Sequence, residues 1–243
     1  MGNLSPVDPR TLPGLFAWYD SNAVNGFFNA QPAADAAVAQ WNDLSGNGRH
    51  AVQGTGANQP LFRLVGGPNN NPSVQFVDST DVMAIATAGT FPRPVTVVSV
   101  VKNTLADDAA YHKAVSFNAG RIATGLDWAT ANAFAPFDDA AAQAGGTIAG
   151  DITTYHIETF EAKPVGSTSR MGVDGLHAGT AGIAGTNTNG DISLGVGGAN
   201  GWIGHLCEAL FFTGELSPSV LFAVEQGLAQ KWGIMAGQYR IAV

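Results

Sequence analysis

Residues 41–52 read WNDLSGNGRHAV. Trp41 is a large apolar anchor, and the side chains of Asn42 and Asp43 are able to turn back onto the backbone. Ser45-Gly46-Asn47-Gly48 is a turn run, because Gly and Asn adopt positive φ at little cost. His50, Ala51 and Val52 then resume an extended pattern. The stretch is predicted to be strand, tight polar loop, strand, with Asp43 fixing its own loop.

Composition agrees with a β reading. The chain has 243 residues, a length that suits one β-sandwich as well as two small domains. Hydrophobic residues make up 45%, enough for a sizeable core, and charged residues only 12%, against roughly 25% in soluble domains generally. With 31 Gly and 12 Pro the chain is turn-rich, which predicts many short strands. The net charge is −8 and the Lys and Arg residues are scattered singly. Nucleic acid and anionic membrane surfaces are therefore excluded as partners, since both need a basic patch. No apolar run is long enough for membrane insertion as a helix. The single cysteine, Cys207, lies in an apolar run and is predicted to be a buried, inert thiol.

Outward from residues 41–52, short strands are expected at 15–19, 61–65, 73–77, 111–117, 153–161, 192–196 and 202–213. Residues 95–101, VTVVSVV, are β-branched and apolar on both faces, as an interior strand requires. In 153–161 apolar and polar residues alternate, which predicts one wet face. Asp174-Gly175 marks a type I′ hairpin turn, and residues 178–190 are read as a small-residue loop. Residues 30–40 fit either one helical turn or a loop. One helix is predicted near the C-terminus: Ser217 is its N-cap, Pro218 its first residue, and Gly233 its stop. Leu221, Val224, Leu228 and Trp232 form its apolar stripe. Trp18, Trp41 and Trp232 are assigned to the core. No repeat or linker divides the chain, so one domain is expected over residues 14–234, with an N-terminal arm at 1–13 and a tail at 235–243.

Several of these segments resemble the concanavalin A-like (laminin-G-like) jelly-roll superfamily. Gly14, Leu15, Trp18 and Asp20 match its G-L-x-x-W-x-D segment, and residues 41–52 match its W-x-D-x-S-G-x-G-x-H/N-A run. Ile203, Leu206, Glu208, Leu210 and Phe212 fit its closing strand. Leu216, Ser217, Glu225, Leu228, Ala229, Lys231, Trp232 and Gly233 fit an ending common in bacterial and phage members. The resemblance implies an all-β, two-sheet antiparallel jelly-roll sandwich with one short C-terminal helix.

Few catalytic motifs are present in the sequence. Glucanases of this fold carry an E-x-D-x-E strand, whereas here Glu158 and Glu161, three apart on a strand, point to opposite faces. They are read as solvated strand residues. No G-x-S-x-G elbow, H-E-x-x-H helix or P-loop is present. No cofactor is expected, with calcium left open: Asp43, Asp78, Asp81 and Asp174 sit at loop edges, where carboxylates either bind Ca²⁺ or cap turns. For carbohydrate the candidates are the aromatics Trp128, Phe134, Phe137 and Trp202, set among Gly, Ala, Asp and Asn residues. The expectation is a non-enzymatic structural or adhesive protein on a bacteriophage virion, made in the host cytoplasm without a signal peptide. It would attach to other virion proteins through the arm, assemble as a homo-oligomer, and bind host surface glycans. The alternatives are a carbohydrate-binding module of a bacterial surface protein and, least favoured, a glycan-cleaving enzyme.

Overall fold

The computed structural model describes residues 7–87, 93–104, 112–117, 122–126, 133–138, 148–149, 151–164, 166–183, 191–196 and 201–234, with backbone alone for 122–126, 133–138, 148–149 and 178–183. The strands in chain order are β1 (Leu15–Asp20), β2 (Gln40–Trp41), β3 (Ala51–Val52), β4 (Leu61–Arg63), β5 (Ser73–Phe76), β6 (Met83–Ile85), β7 (Val95–Asn103) and β8 (Lys113–Phe117). They continue as β9 (Ile122–Leu126), β10 (Ala133–Asp138), β11 (Ile148–Ala149), β12 (His156–Ala162), β13 (Thr168–Val173), β14 (Leu176–Ile183), β15 (Ile192–Leu194) and β16 (Gly204–Thr213). Helix α1 (Pro218–Trp232) follows.

These strands form a two-sheet antiparallel sandwich. One sheet has the order β14-β13-β12-β7-β16-β5-β4, with β1 also paired to β16; the other runs β11-β10-β9-β8-β15-β6-β3-β2. Strand β7 sits between β12 and β16, and the two-sided apolar run explains why. Val97 and Val101 face the space between the sheets and join Phe117, Phe160, Phe211 and Trp41 in one core. Val98 and Val100 face the other way and pack under α1 with Leu221, Leu228 and Trp232. Helix α1 thus lies on the outer face of the first sheet. Its N-cap Ser217 Oγ accepts from Val220 N–H, and Gly233 ends it at φ 65. Burying each large apolar side chain of this stripe contributes about 1.5–3 kcal/mol.

The 41–52 loop explains how β1 ends the sheet without an open edge. Leu44 N–H donates to Trp18 O at 2.7 Å, and Trp18 N–H donates to Asp43 Oδ1 at 3.0 Å. Asn47 Nδ2 donates to the carbonyls of Leu15 and Phe16. The loop lies along the edge of β1 that β16 leaves unpaired and satisfies it, which closes a route to edge-to-edge aggregation.

Two local expectations need correction, and one open reading is decided. Residues 176–183 form strand β14, paired to β13 through the Asp174-Gly175 turn; backbone pairing needs no large side chains, so an Ala/Gly-rich stretch extends as well. Strand β12 has no wet face: Glu161, on the outer side, is covered by its pairs with Lys163 and Arg170, and Glu158, beside Ser99, points between the sheets, so each is 2% exposed. Of the two readings open for residues 30–40, the loop holds: 30–39 are loop, tied to the sheet by the Ala37–Leu61 bridge, and Gln40 opens β2. Within the expected arm the described residues begin at Val7. Asp8 caps a 3-10 turn at Pro9–Thr11, and Leu12 packs on the α1 cluster.

Candidate functional site

Asp20 and Glu208 lie directly opposite each other on β1 and β16. Lys231, in the last turn of α1, reaches between them, its Nζ 2.7 Å from Asp20 Oδ2 and 2.5 Å from Glu208 Oε2. Two indoles complete the set: Trp18 Nε1 donates to Glu208 Oε1 and Trp232 Nε1 to Glu208 Oε2, each at 2.7 Å. Asp20 Oδ1 accepts from the backbone and side chain of Asn22. Burial pushes the Glu208 carboxyl up, against the pull of Lys231. Burial would lower Lys231, but the two carboxylates outweigh it and hold the ammonium charged. Trp18, Asp20, Glu208, Lys231 and Trp232 come from the first and last parts of the sequence, and they meet in this one network.

Above it stands an aromatic loop. Residues 25–31, NGFFNAQ, are tied by their own amides: Asn25 Nδ2 donates to Ala30 O, Asn29 Nδ2 to Asn25 O, and Gln31 Nε2 to Asn29 O. Phe27 meets the Trp18 ring edge-on with centroids 5.6 Å apart, and Arg10 lies over Phe27 at 5.5 Å. Phe28 is fully exposed and sits at φ 65. That conformation is uncommon for a bulky non-glycine residue.

Between this loop, the Asp8–Leu12 turn and α1 lies a cleft of about 360 Å³. Trp18, Phe27 and Leu228 give it an apolar wall; Asp20, Glu208 and Lys231 give it a polar floor. An aromatic face beside fixed hydrogen-bonding groups is the combination that recognises a molecule with one apolar and one polar side.

The residues expected from sequence fall elsewhere. Trp202 is a correction: it is 2% exposed and packs on Phe76 with centroids 5.4 Å apart, so it offers no face to a sugar. Trp128 lies outside the described residues, as do the side chains of Phe134 and Phe137 on β10. The four aspartates do not come together. Asp43 accepts from the backbone N–H groups of Trp18, Ser45 and Arg49 and from Ser45 Oγ. Asp81 accepts from Val77 and Asp78 N–H, and Asp78 from Thr80 N–H. Asp174 takes Ile157 N–H and His156 Nδ1. Among the described residues no group of three or more His, Cys, Asp or Glu side chains is arranged to hold a metal. The Phe27-Phe28 pair belongs to none of the motifs read from the sequence; two adjacent aromatics between Asn25-Gly26 and Asn29 were the available signal.

A second polar cluster lies on the outer face of the first sheet beside α1. Glu225 accepts from Thr159 Oγ1, and His177 Nε2 lies 3.0 Å from its Oε1. Glu161 pairs with Lys163 at 3.0 Å and Arg170 at 2.9 Å. The imidazole of His177 rests on Gly172, where a Cβ would come within 2.7 Å of the ring. These pairs fasten α1 and β14 to β12 and β13.

No protein-family model matches the sequence, and no curated protein matches it. Solved structures do match. A sialidase from Trypanosoma rangeli, bound to 2,3-difluorosialic acid, is 14% identical with a TM-score of 0.59; the match covers 93% of this chain and 34% of the sialidase. The chain thus spans about a third of the sialidase's length. Domain 4 of AbnA, a GH43 extracellular arabinanase from Geobacillus stearothermophilus in complex with arabinotriose, is 13% identical with a TM-score of 0.57, over 88% of this chain and 97% of that domain. A GH54 α-L-arabinofuranosidase is 15% identical with a TM-score of 0.55, over 81% of this chain and 51% of that one. Such identities establish a shared β fold found in carbohydrate-related proteins. They also overturn the expectation of a non-enzymatic chain. Glycosidases share this architecture, so a missing glucanase E-x-D-x-E strand does not exclude glycan cleavage.

Proposed function

We propose that this chain is a glycan-binding β-sandwich domain of a carbohydrate-active protein, and that it binds sugar in the cleft lined by Phe27, with the neighbouring Phe28 ring stacking on the bound sugar. The observation that carries the reading is Phe28: a fully exposed aromatic at φ 65, next in the chain to the Phe27 that lines the cleft, on a loop tied with its own amides. A sugar ring has an apolar C–H face suited to such a phenyl group and hydroxyls suited to Asp20 and Lys231. The arabinanase domain supports the reading, since it matches this chain over nearly its whole length and is bound to arabinotriose. The finer placement among concanavalin A-like, laminin-G-like domains belongs to this proposal, supported by the meeting of Trp18, Asp20, Glu208, Lys231 and Trp232 in one network. Display on a phage particle is a deployment of the same domain, tested by looking for the chain in purified virions.

The decisive experiment is titration calorimetry of the purified chain with a panel of oligosaccharides, repeated with Phe28→Asn. Saturable binding by the parent chain, weakened at least about tenfold in the variant, is expected, since one stacked aromatic contributes on the order of 1–2 kcal/mol. Equal binding by both proteins would move the site away from this loop.

A further inference from the structure

The charges around the cleft narrow its ligand. We infer that it selects uncharged glycans and rejects acidic ones such as sialic and uronic acids, an inference that rests on the glycan-binding reading above. Among the described residues lining the cleft the cations are Arg10 and Lys231. Both are spent. The Arg10 guanidinium is engaged by Asp8 through Nε to Oδ1 at 3.0 Å and Nη2 to Oδ2 at 2.7 Å. Lys231 is shared between Asp20 and Glu208. Three carboxylates against two cations leave the lining negative, on a chain whose net charge is already −8.

A sugar carboxylate is recognised most strongly by a free arginine fork that binds it through two parallel hydrogen bonds. Here it would have to displace Asp8 from Arg10, or enter beside Asp20 and Glu208 against like charge. Hydroxyl groups face no such conflict. A sugar O–H donates to a carboxylate oxygen and accepts from an ammonium N–H, and the floor offers both. The volume, about 360 Å³, lies at the low end of ligand sites and suits the end of a neutral chain better than a long stretch of it. Although this fold is shared with a sialidase, an acidic sugar entering the cleft described here would have to compete with Asp8 for Arg10 and with Asp20 and Glu208 for Lys231.

The test compares arabinotriose, cellotriose, maltotriose and chitotriose with sialyllactose and trigalacturonic acid by calorimetry at low salt. At least one neutral trisaccharide is expected to bind about tenfold or more tightly than either acid, and the gap should narrow at 0.5 M salt as the repulsion is screened. Asp8→Asn, which frees Arg10, should raise the ratio of acidic to neutral affinity about threefold or more. An acidic trisaccharide binding as tightly as the best neutral one, with that binding lost in Phe28→Asn, would overturn the selectivity while leaving the site intact. Binding by none of the six sugars would instead remove the site, and the inference with it.

Discussion

Replacing Glu208 with Gln removes one charge and one acceptor from a position that is 1% exposed. The parent carboxylate takes three donors: the Trp18 and Trp232 indoles and the Lys231 ammonium. An amide has one oxygen. Pointed at Trp232 and Lys231, it leaves its NH₂ facing the Trp18 N–H, two donors with no acceptor between them. A buried unsatisfied donor costs about 1–3 kcal/mol. Losing the ion pair with Lys231, a side chain 31% exposed, adds about 1 kcal/mol after allowance for screening. Against this, the neutral amide relieves some desolvation, the effect that raises the pKa of Glu208. The net expectation is a loss of about 2–3 kcal/mol, which lowers the melting temperature of a chain this size by about 5–10 °C. Urea denaturation at constant m-value measures it directly. A Trp18→Phe partner removes the facing N–H, so the double-mutant cycle should show about 1 kcal/mol of coupling. A Glu208→Gln protein within 0.5 kcal/mol of its parent (a margin of about the size seen for ordinary surface substitutions), or a cycle that closes without coupling, would refute the account of the network.

Two further predictions concern pH and the helix end. His205 accepts or donates at Ser73 Oγ, 2.9 Å away, and burial together with Lys102 and Arg63 pushes its pKa down to about 4. Its uncharged form therefore stabilises the fold above pH ~6.5, and that contribution fades as pH falls from there toward 4; urea midpoints at pH 7, 5.5 and 4 should decline, and His205→Asn should flatten the decline. His177 acts in the opposite sense: the Glu225 bond raises its pKa, so its contribution is present below ~6.5 and lost as pH rises through the folded value. Gly233→Ala forces a side chain to φ 65 with its Cβ 2.0 Å from Asn69 Nδ2, which bonds to Trp232 O. A loss of about 1–3 kcal/mol in the urea midpoint is expected, and an unchanged midpoint would show that the end of α1 is not fixed there.

The two ends of the fold were legible because their residues carry their own instructions. Ser217 and Gly233 mark where α1 starts and stops through side-chain capping and left-handed backbone. Asp43 fixes its own loop by accepting from the Ser45 and Arg49 N–H groups, as its place in the turn run implied. Val95 to Val101 could be placed in the interior because no polar face remained for water. What escaped the sequence depended on distant partners. Strand β14 is a strand because β13 lies beside it, and its small residues say nothing of that. The burial of Trp202 is decided by Phe76, more than a hundred positions away. The candidate cleft joins residues from 7 to 231, and no local pattern announces that Phe27 will meet Trp18.

The stability of Phe28 carries the argument for the site one step further. A bulky residue in the left-handed region costs about 1–2 kcal/mol, and a fully exposed phenyl recovers nothing by burial. Among the described residues its aromatic neighbour is Phe27, at 6.4 Å between centroids and tilted by 51°, a contact open to solvent and worth on the order of 0.5 kcal/mol. Asn tolerates positive φ far better than Phe. Phe28→Asn should therefore leave stability unchanged or raise it by up to about 1 kcal/mol, while weakening oligosaccharide binding. Glu208 behaves differently, since it lies in the floor of the cleft and in the joint between β16 and α1; its replacement should damage folding and binding together. Fold and binding thus separate at the rim and couple at the floor. A drop of more than about 1 kcal/mol in Phe28→Asn would show that the ring is used by the fold itself, and the exposed aromatic would no longer call for a ligand.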